Sequence, residues 1–184
     1  MSNVFNPNKA RVDASQFAQP SWLVHERMVD FEVEDAWRLP IVLTADQTIS
    51  LVRDVLFRGL ANIQEGGAIG FLFKLRLALG QIFRWDDKRA PGEQAPLNPF
   101  AGSFITDDES LDELQNATVA AGLHLGRVPL GDGRYSTLMT IYVKPNGFFG
   151  RMYMALIKPF RYLIVYPALM RMVKREWEHG TDSN

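Results

Sequence analysis

Residues Phe148–Trp177 read FFGRMYMALIKPFRYLIVYPALMRMVKREW, and they restrict the folds open to this chain more than any other stretch. The segment holds 7 of the 21 aromatic residues, 6 basic residues and a single acid, Glu176. Met152, Leu156, Pro159, Leu163, Tyr166, Met170, Val173 and Trp177 recur at alternating spacings of four and three, the signature of one helical stripe. Arg151, Lys158, Arg161 and Arg175 project away from it. Pro159 and Pro167 interrupt the run, and a proline inside a helix costs roughly 3 kcal/mol and kinks the axis. The stripe keeps its phase across both prolines, so bent or consecutive helices are expected, with Pro167 in the first turn of the last. Tyr153, Ile157, Phe160, Ile164 and Leu169 lie off the stripe and are also apolar. One sheet face cannot cover both flanks. A second element, another subunit, a bound apolar molecule or a bilayer surface must cover the remainder.

A membrane-spanning helix is not expected here, because Lys158 and Arg161 sit near the middle of the longest apolar run. Each charge at a bilayer centre costs roughly 2.5–3.5 kcal/mol. The N-terminal residues MSNVFNPNKARVDASQFAQP lack an apolar core, so no signal peptide is read there. A chain of 184 residues supports one well-buried core. There are no cysteines, which excludes disulfides, thiolate metal sites and a cysteine nucleophile and fits a reducing cytoplasm. The net charge of −1 gives no support for nucleic-acid binding.

Along the chain, residues 1–28 read as a loosely docked arm and residues 29–180 as a single domain. Asp30–Leu39 alternates as a strand, with Phe31 and Val33 on the dry face and Asp30, Glu32 and Glu34 on the wet one, and Pro40 ends or edges it. A helix capped by Thr48 follows, burying Ile49, Val52, Val55 and Leu56 and ending at Gly59. A second helix is expected over Ala68–Phe83, with Phe71, Leu75, Ala78 and Ile82 as its buried stripe. Proline and glycine mark residues 86–104 as loop. Asp107, Asp108, Glu109, Asp112 and Glu113 form an acidic run that reads as a solvated turn or helix start. Thr118–Leu130 and Tyr135–Lys144 read as strands joined by a hairpin at Gly131-Asp132-Gly133. The order of strand, two helices, strands and long helix is α+β.

The run GRMYMALIKPFRYLIVYPALMR, preceded by STLMTIYVKPNGFF, resembles the C-terminal signature of the domain-of-unknown-function 2867 family. Leu77–Asp87 (LALGQIFRWDD) and the His124-Leu125 pair add to the likeness, which covers roughly residues 28–178. An acidic residue follows the His-Leu pair in that family; here the position is Gly126. The resemblance places the chain in the START/polyketide-cyclase-like helix-grip (SRPBCC) superfamily. It implies a curved antiparallel sheet wrapped around a long, kinked C-terminal helix, with two short helices after the first strand. It implies no established reaction.

The residues offer little catalytic chemistry. His25, His124 and His179 have no partner at metal-ligand spacing, so no metal or other cofactor is expected. A lone His124 on a strand is more often structural. Asp30, Glu32 and Glu34 could do acid–base work if one were buried, but charges on an edge strand more often discourage pairing. Gly66–Gly70 (GGAIG) lacks the lysine of a phosphate-binding loop, and GxSxG is absent.

Three readings of function remain open. In the first, a small apolar or amphipathic ligand lies between sheet and helix. Met139, Ile141 and Val143 line one side, Met152, Leu156 and Leu163 the other, and Phe83 and Trp85 close one end. In the second, Tyr153, Ile157, Phe160 and Ile164 form an outer face, with its basic residues, for a homodimer or a membrane surface. In the third, a cyclase- or hydratase-like enzyme uses the same fold, which requires a carboxylate or His124 inside the cavity.

Overall fold

The computed structural model describes residues 10–12, 21–61, 101–115 and 119–181. A four-residue helix, α1 (Val24–Arg27), precedes strand β1 (Glu32–Thr44) and helix α2 (Ile49–Ala61). Strands β2 (Ala101–Ile105), β3 (Glu109–Gln115), β4 (Val119–Gly131) and β5 (Arg134–Pro145) follow. The chain then runs through helix α3 (Gly147–Phe160), a π-helical segment (Arg161–Val165) and helix α4 (Tyr166–Thr181). The five strands form one antiparallel sheet in the order β1-β5-β4-β3-β2. The architecture is the expected α+β one, with a long C-terminal helix packed on an open sheet.

The β4–β5 hairpin forms where the glycines allow it. Gly131, Asp132 and Gly133 all take positive φ, at 92°, 52° and 69°. That left-handed region is open to glycine and tolerated by aspartate. Register then sorts the side chains onto two faces. Trp37 and Leu125 both pair with Met139, and these residues meet the helices. Against them pack Ile49, Val52, Val55 and Leu56 of α2, as the sequence pattern predicts, and Tyr166, Leu169, Met170, Met172 and Val173 of α4. On the opposite face Ala36, Leu111, Leu138 and Tyr142 lie under Trp22, Val24 and Met28. The arm expected to dock loosely therefore buries three large side chains on the sheet where it is described.

Several expectations are corrected. The acidic run is a solvated turn only at Asp107 and Asp108, and no part of it is a helix start. From Glu109 onward it forms β3, and Glu109 and Asp112 are buried because His124 and Arg53 pair with them. The end of the expected loop, from Ala101, is strand β2. Gly59 lies inside α2, not beyond it. A Cβ there would stand 2.3 Å from the Met172 sulfur, so the glycine permits a close crossing of α2 and α4. Pro40 lies within β1, which occupies a sheet edge, and the register shifts there between Arg38 and Val42. An edge bulge is where a strand accepts a residue without an N–H. The expected second helix, Ala68–Phe83, lies outside the described residues.

The C-terminal helix does not keep a constant phase. Pro167 sits in the first turn of α4, as expected, and Pro159 lies in the last turn of α3. Between them the Tyr166 N–H donates to the Arg161 carbonyl, five residues back. A π turn of this kind inserts one extra residue into the helical repeat. The sheet-facing residues before Tyr166 therefore fall out of phase with the stripe that holds after it. Gly150, Tyr153 and Met154 are buried in α3, with Ile157 half-buried; Tyr153, Met154 and Ile157 pack with Val119 and Val143. The stripe holds from Tyr166 to Val173 and fails before it.

Candidate functional site

The outer surface of α3 is the site that follows from this phase shift. Met152, Leu156, Phe160 and Leu163, spaced by four, four and three, are 40, 54, 36 and 77% exposed. Ala155 and Pro159 lie between them and are also exposed. The side of a docked helix that faces water is ordinarily polar; most of the water-facing side of this helix is apolar. Its charges are Arg151 and Lys158, which at about 100° per residue fall together along one flank of the apolar face. No Asp or Glu occurs between Asp132 and Glu176.

The two flanks expected of this segment have thus exchanged roles within α3. Met152, Leu156 and Leu163, expected to line a cavity against the sheet, are on the outside. Tyr153, expected outside, is buried, and Ile157 and Ile164 are half-buried. Phe160 is outside, as expected. Met139, Ile141 and Val143 do sit on the helix-facing side of the sheet, Met139 beneath the α4 cluster and Val143 beneath Tyr153 and Met154. Phe83 and Trp85 lie outside the described residues.

A buried polar cluster fixes the π segment to β1. Asp35 points to the helix side of the sheet, on the parity of Trp37, and its side chain is fully buried. Its Oδ2 accepts a hydrogen bond from the Tyr166 hydroxyl at 2.6 Å, and its Oδ1 accepts one from the Tyr162 hydroxyl. Arg161 Nη2 lies 3.2 Å from Asp35 Oδ2 and also binds Glu34. Trp37 packs against both tyrosines with tilted rings, its centroid 5.9 Å from that of Tyr162 and 4.5 Å from that of Tyr166. Burial, with Asp35 accepting its proton bond, pushes Tyr162 up to about 12. Tyr166 is raised well above its ordinary value by burial and by the Asp35 charge. Arg161 stays protonated: burial opposes its charge, but Tyr166, Asp35 and Glu34 together raise its pKa. Both tyrosines are therefore donors at neutral pH. Arg161, Tyr162 and Tyr166, within and just after the π segment, thus all reach the same carboxylate of β1.

Two of the three acids singled out on the first strand make ion pairs. Asp30 makes an exposed contact with Lys144 at 3.5 Å, and Glu34 serves Arg161 with Lys158 at 3.8 Å. Asp35 was not singled out by sequence reasoning. The signal was its place on the same parity as Phe31, Val33 and Trp37, where an acid must be partnered. Asp112 was likewise missed; Arg53 Nε reaches its Oδ2 at 2.8 Å, which raises the arginine.

His124 is buried on the opposite sheet face. Its Nε2 donates to Glu109 Oε2 at 3.1 Å, and Trp22 covers the ring at 4.9 Å between centroids. Gly126 has no space for a side chain: a Cβ would lie 2.6 Å from the Trp22 ring. Among the described residues no group of three His, Asp, Glu or Cys could hold a metal ion, and no helix is long and apolar enough to cross a membrane.

No curated protein and no solved structure matches this chain. Residues 27–168, more than half of the chain and all of the frame that carries α3 and its Asp35 anchor, match the family model described as "Protein of unknown function (DUF2867)", and the chain belongs to that family.

Proposed function

We propose that this domain is an interaction module that rests the outer face of α3 on an anionic lipid surface. The observation that carries this reading is the apolar face formed by Met152, Leu156, Phe160 and Leu163, flanked by Arg151 and Lys158. Helices that lie in a headgroup region combine an apolar face with basic side chains whose stems snorkel toward the phosphates. A second copy of the same face fits less well, because α3 offers no carboxylate to meet the partner's Arg151 and Lys158. The reading places the domain at the cytoplasmic side of a membrane without spanning it. Flotation with phosphatidylcholine–phosphatidylserine vesicles tests it, with pure phosphatidylcholine as the control. Binding to the anionic vesicles alone is expected. A chain that floats with neither, and sediments as a dimer, would assign the face to a second copy.

A second reading keeps a small apolar or amphipathic ligand between sheet and helix. The strand order, with helix α2 after β1 and a long helix after the last strand, is the arrangement of helix-grip domains and supports it. Fold likeness alone cannot establish activity. On this reading Met139, Ile141 and Val143 would face Tyr153, Met154 and Ile157 rather than Met152, Leu156 and Leu163. A cyclase- or hydratase-like reaction would need a carboxylate on the helix side of the sheet, and the buried ones described there are already paired, Asp35 with Tyr162, Tyr166 and Arg161 and Asp112 with Arg53. Native mass spectrometry distinguishes these readings: a retained small molecule supports an enclosed ligand, and a bare chain mass counts against it.

A further inference from the structure

The second face of the sheet is roofed by Trp22–Phe31, and one carboxylate holds that roof. Glu109 Oε1 accepts the Leu23 N–H at 2.6 Å, while Oε2 accepts the Val24 N–H at 3.3 Å and His124 Nε2 at 3.1 Å. The roof fits a trough made by missing side chains. Gly122, His124 and Gly126 follow one another on this face of β4. A Cβ at Gly122 would stand 3.0 Å from Met28, and one at Gly126 would stand 2.6 Å from Trp22. His124 lies between the two, fully buried. Its Nδ1 has no partner among the described residues, and neither has Thr140 Oγ1, directly across the β4–β5 ladder. A proton arriving at Nδ1 would charge a buried ring and create a donor with no hydrogen bond in place.

We propose that Trp22–Phe31 is a strap that lifts from the sheet when His124 is protonated, baring the apolar second face in mildly acidic surroundings. The other ionisable and charged groups on this face are Glu109 and Glu113 of β3, Arg38 of β1, Tyr142 and Lys144 of β5, and His25, Glu26, Arg27 and Asp30 of the strap. Arg27–Glu113 and Lys144–Asp30 are exposed contacts at 3.5 Å, and such pairs hold little. Arg38 is occupied by Ser136 at 2.9 Å, and burial with the nearby Glu109 charge pushes Tyr142 up to about 12. Among the described residues, the buried polar hold on the strap is Glu109 with His124.

The direction of the pH response follows from both groups. Burial lowers the His124 pKa below the ordinary 6.5 by more than Glu109 raises it. The lifted state, with a solvated imidazole, binds the extra proton more readily. The closed strap is thus fully favoured above pH 6.5 and loses that contribution as pH falls below it. For Glu109, burial raises the pKa, but the bonds from His124, Leu23 and Val24 bring it below 4.5 overall. Its contribution is present above 4.5 and lost further into acid, in the same direction.

Hydrogen exchange by mass spectrometry on the full chain, corrected for the intrinsic pH dependence of exchange, reads the strap directly. Between about pH 7.5 and pH 5.5, protection at Leu23 and Val24 should fall by up to roughly tenfold, because pH 5.5 lies about one unit below the ordinary histidine value. The β4 and β5 peptides should keep theirs. His124→Gln retains a donor toward Glu109 but cannot titrate, and should abolish the difference. Equal losses in wild type and variant, or no loss in wild type, overturn the proposal. Nitrogen NMR of the His124 ring in the unmodified protein gives an independent reading. The imidazole and the Leu23 and Val24 amides should share one midpoint, and a ring that titrates while those amides stay fixed also overturns it.

Discussion

Replacing Asp35 by alanine tests the anchor of the C-terminal helix. The carboxylate is fully buried and serves Tyr162, Tyr166 and Arg161 at once. Removing one member of a buried ion pair costs about 3–5 kcal/mol, because the other charge stays behind unpaired. Glu34 still holds Arg161, which reduces that cost. The stranded Tyr166 hydroxyl restores part of it, at about 1–3 kcal/mol for a buried donor without an acceptor. Tyr162 is only half-buried and can turn to water. The net expectation is a loss of about 3–5 kcal/mol. For a chain of this length each kcal/mol lowers Tm by roughly 2–4 °C, so the shift should be roughly 6–20 °C. Urea unfolding followed by far-UV circular dichroism gives the free energy, and calorimetry gives Tm. Adding Tyr162→Phe and Tyr166→Phe to the alanine variant removes the stranded hydroxyls and should recover part of the loss. A variant within about 1 kcal/mol of wild type, or a triple variant no better than the single one, would refute the assignment of Asp35 as the anchor.

Other perturbations probe separate parts of the structure. Gly126→Ala should destabilise by about 1–3 kcal/mol by overpacking against Trp22, and Trp22→Leu should relieve much of that in the double variant by urea unfolding. Arg53→Met leaves the Asp112 carboxylate, which has no exposed side-chain surface, without its partner; a loss of about 3–5 kcal/mol is expected from the same measurement. Leu156→Ser and Leu163→Ser change exposed positions and should move stability by no more than about 0.5 kcal/mol, which a large drop in Tm would contradict.

The sheet was legible where alternation and turn chemistry agreed. The β4–β5 hairpin, its glycine turn and the buried face of α2 all follow from local pattern. What local pattern could not reveal is pairing at a distance. The acidic run looks solvated because Arg53 and His124, which bury Asp112 and Glu109, lie 59 and 15 residues away in sequence. Asp35 was hidden for the same reason, since Tyr162 and Tyr166 come 127 and 131 residues later. The helical stripe misled in a more instructive way. Counting by 3.6 across two prolines assumes an unbroken ladder, and a π turn breaks the phase between the two helices. Met152, Leu156 and Leu163, expected to face the sheet, lie on the outer face instead.

The central claim is that this outer face meets anionic lipid. The direct measurement is the partitioning of wild type and of Leu156→Asp/Leu163→Asp onto phosphatidylcholine–phosphatidylserine vesicles by cosedimentation. Burying one leucine is worth about 1.5–3 kcal/mol, and each 1.4 kcal/mol is a factor of ten, so the double variant should lose roughly tenfold or more in partition coefficient. Added salt should weaken the wild type, because Arg151 and Lys158 act through screened charge. A wild type that stays in the supernatant, or a folded double variant that binds as well as wild type, contradicts the account.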